Sequence, residues 1–204
     1  MSVLDLAPVV PVVVVEDVAT AVPMAQALVA GGLPAIEVTL RTSCALEAVA
    51  RIAAEVPGAV VGAGTVRTPA EVTAAVDAGA RFLVSPGATP ALLDAMAGSG
   101  VPYLPGAATA SEVMALAERG LTEVKFFPAV PAGGVAYLKA LGGPLPEVRF
   151  CPTGGIRPQT APEFLALPNV GCVGGTWLTP AGALAAGDYT RIEKLAAEAA
   201  ALRG

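Results

Sequence analysis

Glu123-Val124-Lys125-Phe126-Phe127-Pro128-Ala129 is an extended, aromatic run closed by a proline, and it reads as a β-strand. It carries one of only three lysines in the chain. Lys139 and Lys194 fall in segments of helical polar periodicity, where a solvated ammonium is ordinary. A cation in the strand, by contrast, is desolvated among Val124, Phe126 and Phe127. Burial disfavours the charged form of a lysine, and the neutral amine is the nucleophile that forms Schiff bases with carbonyls. The competing reading is a strand-end lysine whose head reaches water along its own stem.

On both sides of this strand, apolar runs alternate with alanine-rich helical stretches. Strands are expected at 9–15, 35–40, 60–65, 82–86, 103–106, 123–128, 149–152 and 170–174. Helices are expected at 18–30, 43–55, 69–78, 90–97, 110–118, 133–141, 158–166 and 188–202. Thr68-Pro69 and Thr89-Pro90 are helix starts with proline at the first helical position, and Gly31, Gly79, Gly100 and Gly120 sit where helices should stop. Strands apolar on both faces, each followed by a helix, imply a parallel sheet covered by helices. Eight such units point to a single-domain (β/α)8 TIM barrel over 1–204, an α/β fold. A doubly wound open sheet is the competitor, but no G-x-G-x-x-G follows the first strand.

Composition narrows the function. Hydrophobic residues make up 54% and charged residues 14%, yet no apolar run approaches the ~20 residues of a membrane helix. There is no basic cluster at the start, so a signal peptide is not expected, and a cytoplasmic protein is. A net charge of -5 without a basic stripe argues against nucleic acid. Few surface charges suggest that subunits cover part of the surface, so a homo-oligomer is expected. Cys44, Cys151 and Cys172 are widely spaced, odd in number and fit a reduced compartment. The absence of histidine removes Ser-His and Cys-His pairs and makes common zinc and iron sites improbable, so no metal is expected; no cofactor is expected either.

Side chains two apart share a strand face, so Glu37, Thr39 and Arg41 lie on one side of the second strand. A carboxylate in mid-strand is costly unless paired or functional, and its plain structural reading is a salt bridge to Arg41 or Lys125. Arg41, at the strand mouth, suits a substrate carboxylate. Thr65, Ser85 and Thr153 end other strands and together form a ring of hydroxyls, although each alone is an ordinary turn residue. Gly154-Gly155 and Gly174-Gly175-Thr176 follow the last two strands, where this barrel commonly binds phosphate through backbone N–H groups. The inventory fits a metal-free aldolase acting on a phosphorylated 2-oxo acid, with Lys125 attacking the ketone and Glu37 moving protons.

Five stretches, Glu37-Val38-Thr39-Leu40-Arg41-Thr42, Val61-Gly62-Ala63-Gly64-Thr65-Val66, Ser85-Pro86-Gly87, Lys125-Phe126-Phe127-Pro128-Ala129 and Cys151-Pro152-Thr153-Gly154-Gly155-Ile156, resemble the 2-dehydro-3-deoxy-6-phosphogluconate aldolases, also called KDPG or KHG/KDPG aldolases. The similarity runs in order from Pro11 to about Tyr189. It implies a homotrimeric class I aldolase of the Entner–Doudoroff pathway, yielding pyruvate and D-glyceraldehyde 3-phosphate, with 4-hydroxy-2-oxoglutarate as a further substrate. By resemblance, Lys125 is the Schiff-base lysine and Glu37 the proton-transfer residue. Arg41 and Thr65 contact the pyruvate carboxylate, Pro86 and Phe127 line the substrate site, and Thr153 shapes substrate choice. Gly154, Gly155, Gly174, Gly175 and Thr176 form the phosphate site, with Thr176 standing where the family pattern has serine. An aldolase for the galactonate epimer and an idle trimeric scaffold are the alternatives; joint retention of Lys125, Glu37 and Arg41 argues against the scaffold.

Overall fold

The computed structural model describes residues 2–202, so Met1, Arg203 and Gly204 of the expected 1–204 domain lie outside the described residues. The alternation of strands and helices is realised as a parallel α/β fold. Strands β1 (Val9–Val13), β2 (Ala35–Thr39), β3 (Val60–Gly64), β4 (Leu83–Val84), β5 (Tyr103–Leu104) and β9 (Val173–Gly175) form a curled sheet of order β5-β4-β3-β2-β1-β9. Strands β6 (Gly106–Ala107), β7 (Glu123–Phe126) and β8 (Arg149–Pro152) form a second sheet in that order. The strand pairings are parallel throughout.

The fifth expected strand is split at Pro105, which has no N–H to give to a ladder. Its carbonyl still accepts from the Lys125 N–H at 2.9 Å, while the Gly106 N–H turns to Ser85 Oγ at 3.3 Å. Ser85 is fully buried in that role. It therefore tethers one strand to the next and does not belong to a rim of hydroxyls. The eighth strand, expected over 170–174, pairs with β1 only over Val173–Gly175; Val170 and Gly174 meet β8 through isolated parallel bridges to Phe150 and Thr153.

Helices α1 (Ala21–Ala30), α2 (Ala45–Glu55), α3 (Pro69–Asp77), α4 (Pro90–Gly98), α5 (Ala110–Ala117), α6 (Gly134–Leu141) and α7 (Ala161–Leu165) follow the strands in turn. α7 starts later than expected from 158–166. The Arg157 N–H donates to Thr160 Oγ1 and the Ala161 N–H to the Arg157 carbonyl, which closes a turn before the helix. Two helices, α8 (Ala181–Ala186) and α9 (Tyr189–Ala200), close the described chain; α8 lies outside the expected helices, because six residues, five of them alanine or glycine, carry too little periodicity. Among the described residues no helix is long and apolar enough to cross a membrane.

Threonine side chains cap three of these helices. Thr68 with Glu71 and Thr109 with Glu112 form reciprocal capping boxes, and Thr89 accepts from the Leu92 N–H. Thr109→Ala is expected to lower stability by about 1 kcal/mol, read from denaturant unfolding. The Ala108 N–H holds the Glu112 carboxyl below its ordinary range; burial opposes this, and Thr109 adds to it. A folded-state pKa below the unfolded one means this contribution is present above about pH 4.3 and fades as pH falls through the lower folded value. Glu112→Gln removes that acid-side loss.

Alternation along the strands sorts two cores. Ile36, Val38, Val61, Phe126 and Phe150 pack outward in the larger cluster that includes the helices. Val10, Ala35, Phe82, Val84, Leu104, Cys151 and Cys172 fill the concave side together with Val3 and Leu4 from the 3-10 turn Val3–Asp5. That turn is tied to β7 and β8: Ser2 Oγ donates to Glu123 at 2.7 Å, and Arg149 donates to Asp5 at 2.5 Å and to Glu123 at 3.3 Å. At the opposite, C-terminal end of the strands the concave side becomes polar.

Candidate active site

Lys125 is the third residue of β7 and pairs in register with Gly106 and Cys151. Glu37 is the middle residue of β2, in register with Val12 and Gly62. The curl of the sheets turns both side chains inward, and Lys125 Nζ donates to Glu37 Oε1 at 3.0 Å. Their side chains are only 6% and 4% exposed, so this ion pair is kept from water. The structural reading of Glu37, a salt bridge to Lys125, is thus correct as geometry; it is also the arrangement a lysine nucleophile needs. The Phe127 ring lies 5.5 Å from Nζ.

Room for Glu37 comes from the neighbouring strand. Gly64 stands opposite Thr39, and a Cβ there would come within 2.2 Å of Glu37 Oε1. Across the site Gly174 does the same for Thr153, whose Oγ1 would lie 2.2 Å from an added Cβ. Beneath Lys125, the Cys151 thiol is held below the ordinary thiol range by its hydrogen bond to Cys172; burial opposes this, and the Lys125 charge adds to it.

A cavity of about 310 Å³ opens over the pair. Lys125, Glu37, Phe127, Thr153, Arg41, Thr65 and Pro86 line it. Gly154, Gly155, Gly174 and Thr176 line it as well. Arg41 is exposed, which leaves its guanidinium free to meet an anion at the mouth. Thr65 has φ 58°, a left-handed conformation rare outside glycine and concentrated at binding sites. Gly154 and Gly155, at φ 106° and 80°, adopt the same region, which lets the turn after β8 approach a ligand with its backbone.

Gly175 does not line this cavity. A side chain at that position would point into the Trp177 ring, so Gly175 makes room for the indole. Three lining residues, Val12, Thr39 and Ile156, were not among the expected site residues. Thr39 shares the Glu37 face and donates to the Val13 carbonyl at 3.0 Å, which the alternation on β2 already signals. Val12 and Ile156 are apolar and carry no chemical signal of their own.

The family model described as KDPG and KHG aldolase matches residues 1–195. The chain belongs to the KDPG and KHG aldolase family. Among its relatives, the KHG/KDPG aldolase of Escherichia coli K12 is 55% identical over 97% of this chain and 93% of that protein. A KDPG aldolase structure from Zymomonas mobilis ZM4, described with 3-phosphoglycerate, superposes with a TM-score of 0.94 at 50% identity, over 98% of this chain and 94% of that one. A KDPG aldolase from Legionella pneumophila, described with pyruvate captured as a covalent carbinolamine, gives a TM-score of 0.94 at 44% identity, over 97% and 96% of the two chains. The KDPG and KHG aldolase family therefore includes a member described with pyruvate as a covalent carbinolamine.

Proposed function

We propose that this chain is a Schiff-base, metal-free aldolase that reversibly cleaves 2-dehydro-3-deoxy-6-phosphogluconate to pyruvate and D-glyceraldehyde 3-phosphate. The observation that carries the proposal is the 3.0 Å contact between two buried groups, Lys125 Nζ and Glu37 Oε1, at the base of the cavity. Arg41 at the mouth takes the C1 carboxylate, aided by Thr65. The turns at Gly154-Gly155 and Gly174 to Thr176 take the phosphate through backbone donors and the Thr176 hydroxyl.

In the cleavage direction the Lys125 amine adds to the C2 ketone to give a carbinolamine, and loss of water leaves an iminium. Glu37, directly or through a water, removes the C4 hydroxyl proton. The C3–C4 bond breaks, its electrons flow into the iminium, and glyceraldehyde 3-phosphate departs from an enamine. Protonation at C3 and hydrolysis release pyruvate and return the amine. 4-Hydroxy-2-oxoglutarate undergoes the same scission, with glyoxylate as the aldehyde.

The architecture we infer around this site is one domain, closed as a single (β/α)8 barrel. Lys125 N–H to Pro105 carbonyl bonding at one seam, and the Thr153 to Gly174 bridge at the other, support that closure. A homotrimer is supported by Leu46, Met114 and Val130, large apolar side chains that are 36%, 52% and 47% exposed. Cys44, Cys151 and Cys172, none of them in a disulfide among the described residues, favour the cytoplasm.

Pyruvate followed by borohydride should fix a reduced adduct on Lys125, read by peptide mass spectrometry, and abolish cleavage. An unmodified Lys125 in a fully active sample would overturn the mechanism.

A further inference from the structure

A second cavity, of about 430 Å³, opens beside the first. The two share Val12 and Thr176 as walls. Val12 pairs in register with Glu37, so this shared wall lies one strand away from the acid–base group, about 5 Å across the sheet. Beyond these two residues Val14, Ala181, Leu184 and Ala185 give it apolar walls interrupted by the hydroxyls of Thr20 and Thr179, and no cationic side chain lines it. Two exposed carboxylates, Glu16 and Asp17, come from the loop after β1. Asp17 spends one oxygen on the Ala19 N–H at 2.9 Å. A phosphate or carboxylate is repelled here, so this space is not a second seat for the phosphorylated end of the substrate. Its charge and walls match an apolar chain that ends in a cation.

We propose that in the synthetic direction this pocket receives the tail of an unphosphorylated acceptor aldehyde that is apolar along its length and cationic at its end. The inference rests on the Schiff-base reading above. The enamine formed from pyruvate and Lys125 attacks the aldehyde carbon, and the new carbon–carbon bond forms. The aldehyde oxygen takes a proton from Glu37 or water, and a second water hydrolyses the iminium, freeing a 4-hydroxy-2-oxo acid and the amine. The tail passes between Val12 and Thr176, and its terminal cation sits against Glu16 and Asp17.

The test compares pyruvate addition to 4-(trimethylammonio)butanal and to its neutral isostere 5,5-dimethylhexanal, with kcat/KM read from product formation. Wild-type enzyme at low salt should favour the cationic aldehyde by about threefold to fivefold, the scale of exposed charge contacts. The preference should fall toward unity in Glu16→Gln/Asp17→Asn, where Asn keeps the cap on Ala19, and at about 1 M salt. Ala185→Trp should depress both long aldehydes more than glyceraldehyde 3-phosphate. Equal rates in the wild type, no addition of either aldehyde, or a preference that survives the double substitution overturns the proposal. Borohydride trapping of pyruvate on the same samples separates the failures. Trapping without the preference removes only the tail pocket, whereas no trapping removes the imine reading itself.

Discussion

Lys125→Met is expected to abolish carbon–carbon cleavage, with kcat reduced by a factor on the order of 10⁴ or more, because no other group in the cavity can form the imine. Lys139 and Lys194 lie on α6 and α9, and neither lines the cavity. Methionine fills most of the lysine volume, so the cavity keeps its shape while losing its amine. Stability also falls, because Glu37 stays buried without its cation. Removing one member of a buried pair costs about 3–5 kcal/mol, which at about 2–4 °C per kcal/mol is a drop of roughly 6–20 °C in Tm. Lys125→Met/Glu37→Leu removes both charges and should recover much of that stability while remaining inactive. Pyruvate release coupled to an indicator reaction, together with thermal unfolding, checks both halves. Cleavage retained in Lys125→Met sinks the assignment of the nucleophile. A Tm unchanged in the single variant shows instead that the pair is solvated in solution.

Gly64→Ala tests the acid–base group through its neighbour. The added Cβ would lie 2.2 Å from Glu37 Oε1, 2.5 Å from Cγ and 2.7 Å from Cδ, closer than real Cβ contacts allow. Gly64 is held in the β3 ladder opposite Thr39, so Glu37 must give way and the 3.0 Å contact to Lys125 breaks. The expected result is a loss in kcat of about 10²–10⁴, the share usually carried by positioned proton transfer, with overpacking costing about 1–3 kcal/mol of stability. Trapping of pyruvate by borohydride should survive, since the amine is intact. Glu37→Gln should give a loss of similar size, and the double variant should be no worse than the poorer single one, because both act on one function. Losses that multiply in the double variant would show that Gly64 acts elsewhere, and full activity in Gly64→Ala would show that Glu37 has room that the structure denies it.

Much of this site is legible in one dimension. A lysine inside an aromatic strand stands out because it breaks the apolar pattern, and Glu37 stands out for the same reason on β2. Strand alternation then places Glu37 and Thr39 on the face that turns inward. The glycine turns after the last strands carry their own local signal, because positive φ at Gly154 and Gly155 is a property of those residues alone. Other features have no local signal. Val12 reads as one valine among many until the sheet curls it into two cavities. Ser85 reads as a rim hydroxyl until the split at Pro105 sends the Gly106 N–H to it. Gly175 reads as one more turn glycine until the fold sets the Trp177 indole against its open side.

The amino-acid order by itself determined that strands and helices alternate, which faces are apolar, and that one amine and one acid are placed where water is scarce, because those patterns repeat over two to four residues. Tertiary structure alone decided that these two groups, 88 residues apart in the chain, meet at 3.0 Å, and that Gly64 leaves the space for it. Such contacts follow from how the sheets curl in three dimensions, and no short-range period encodes that distance.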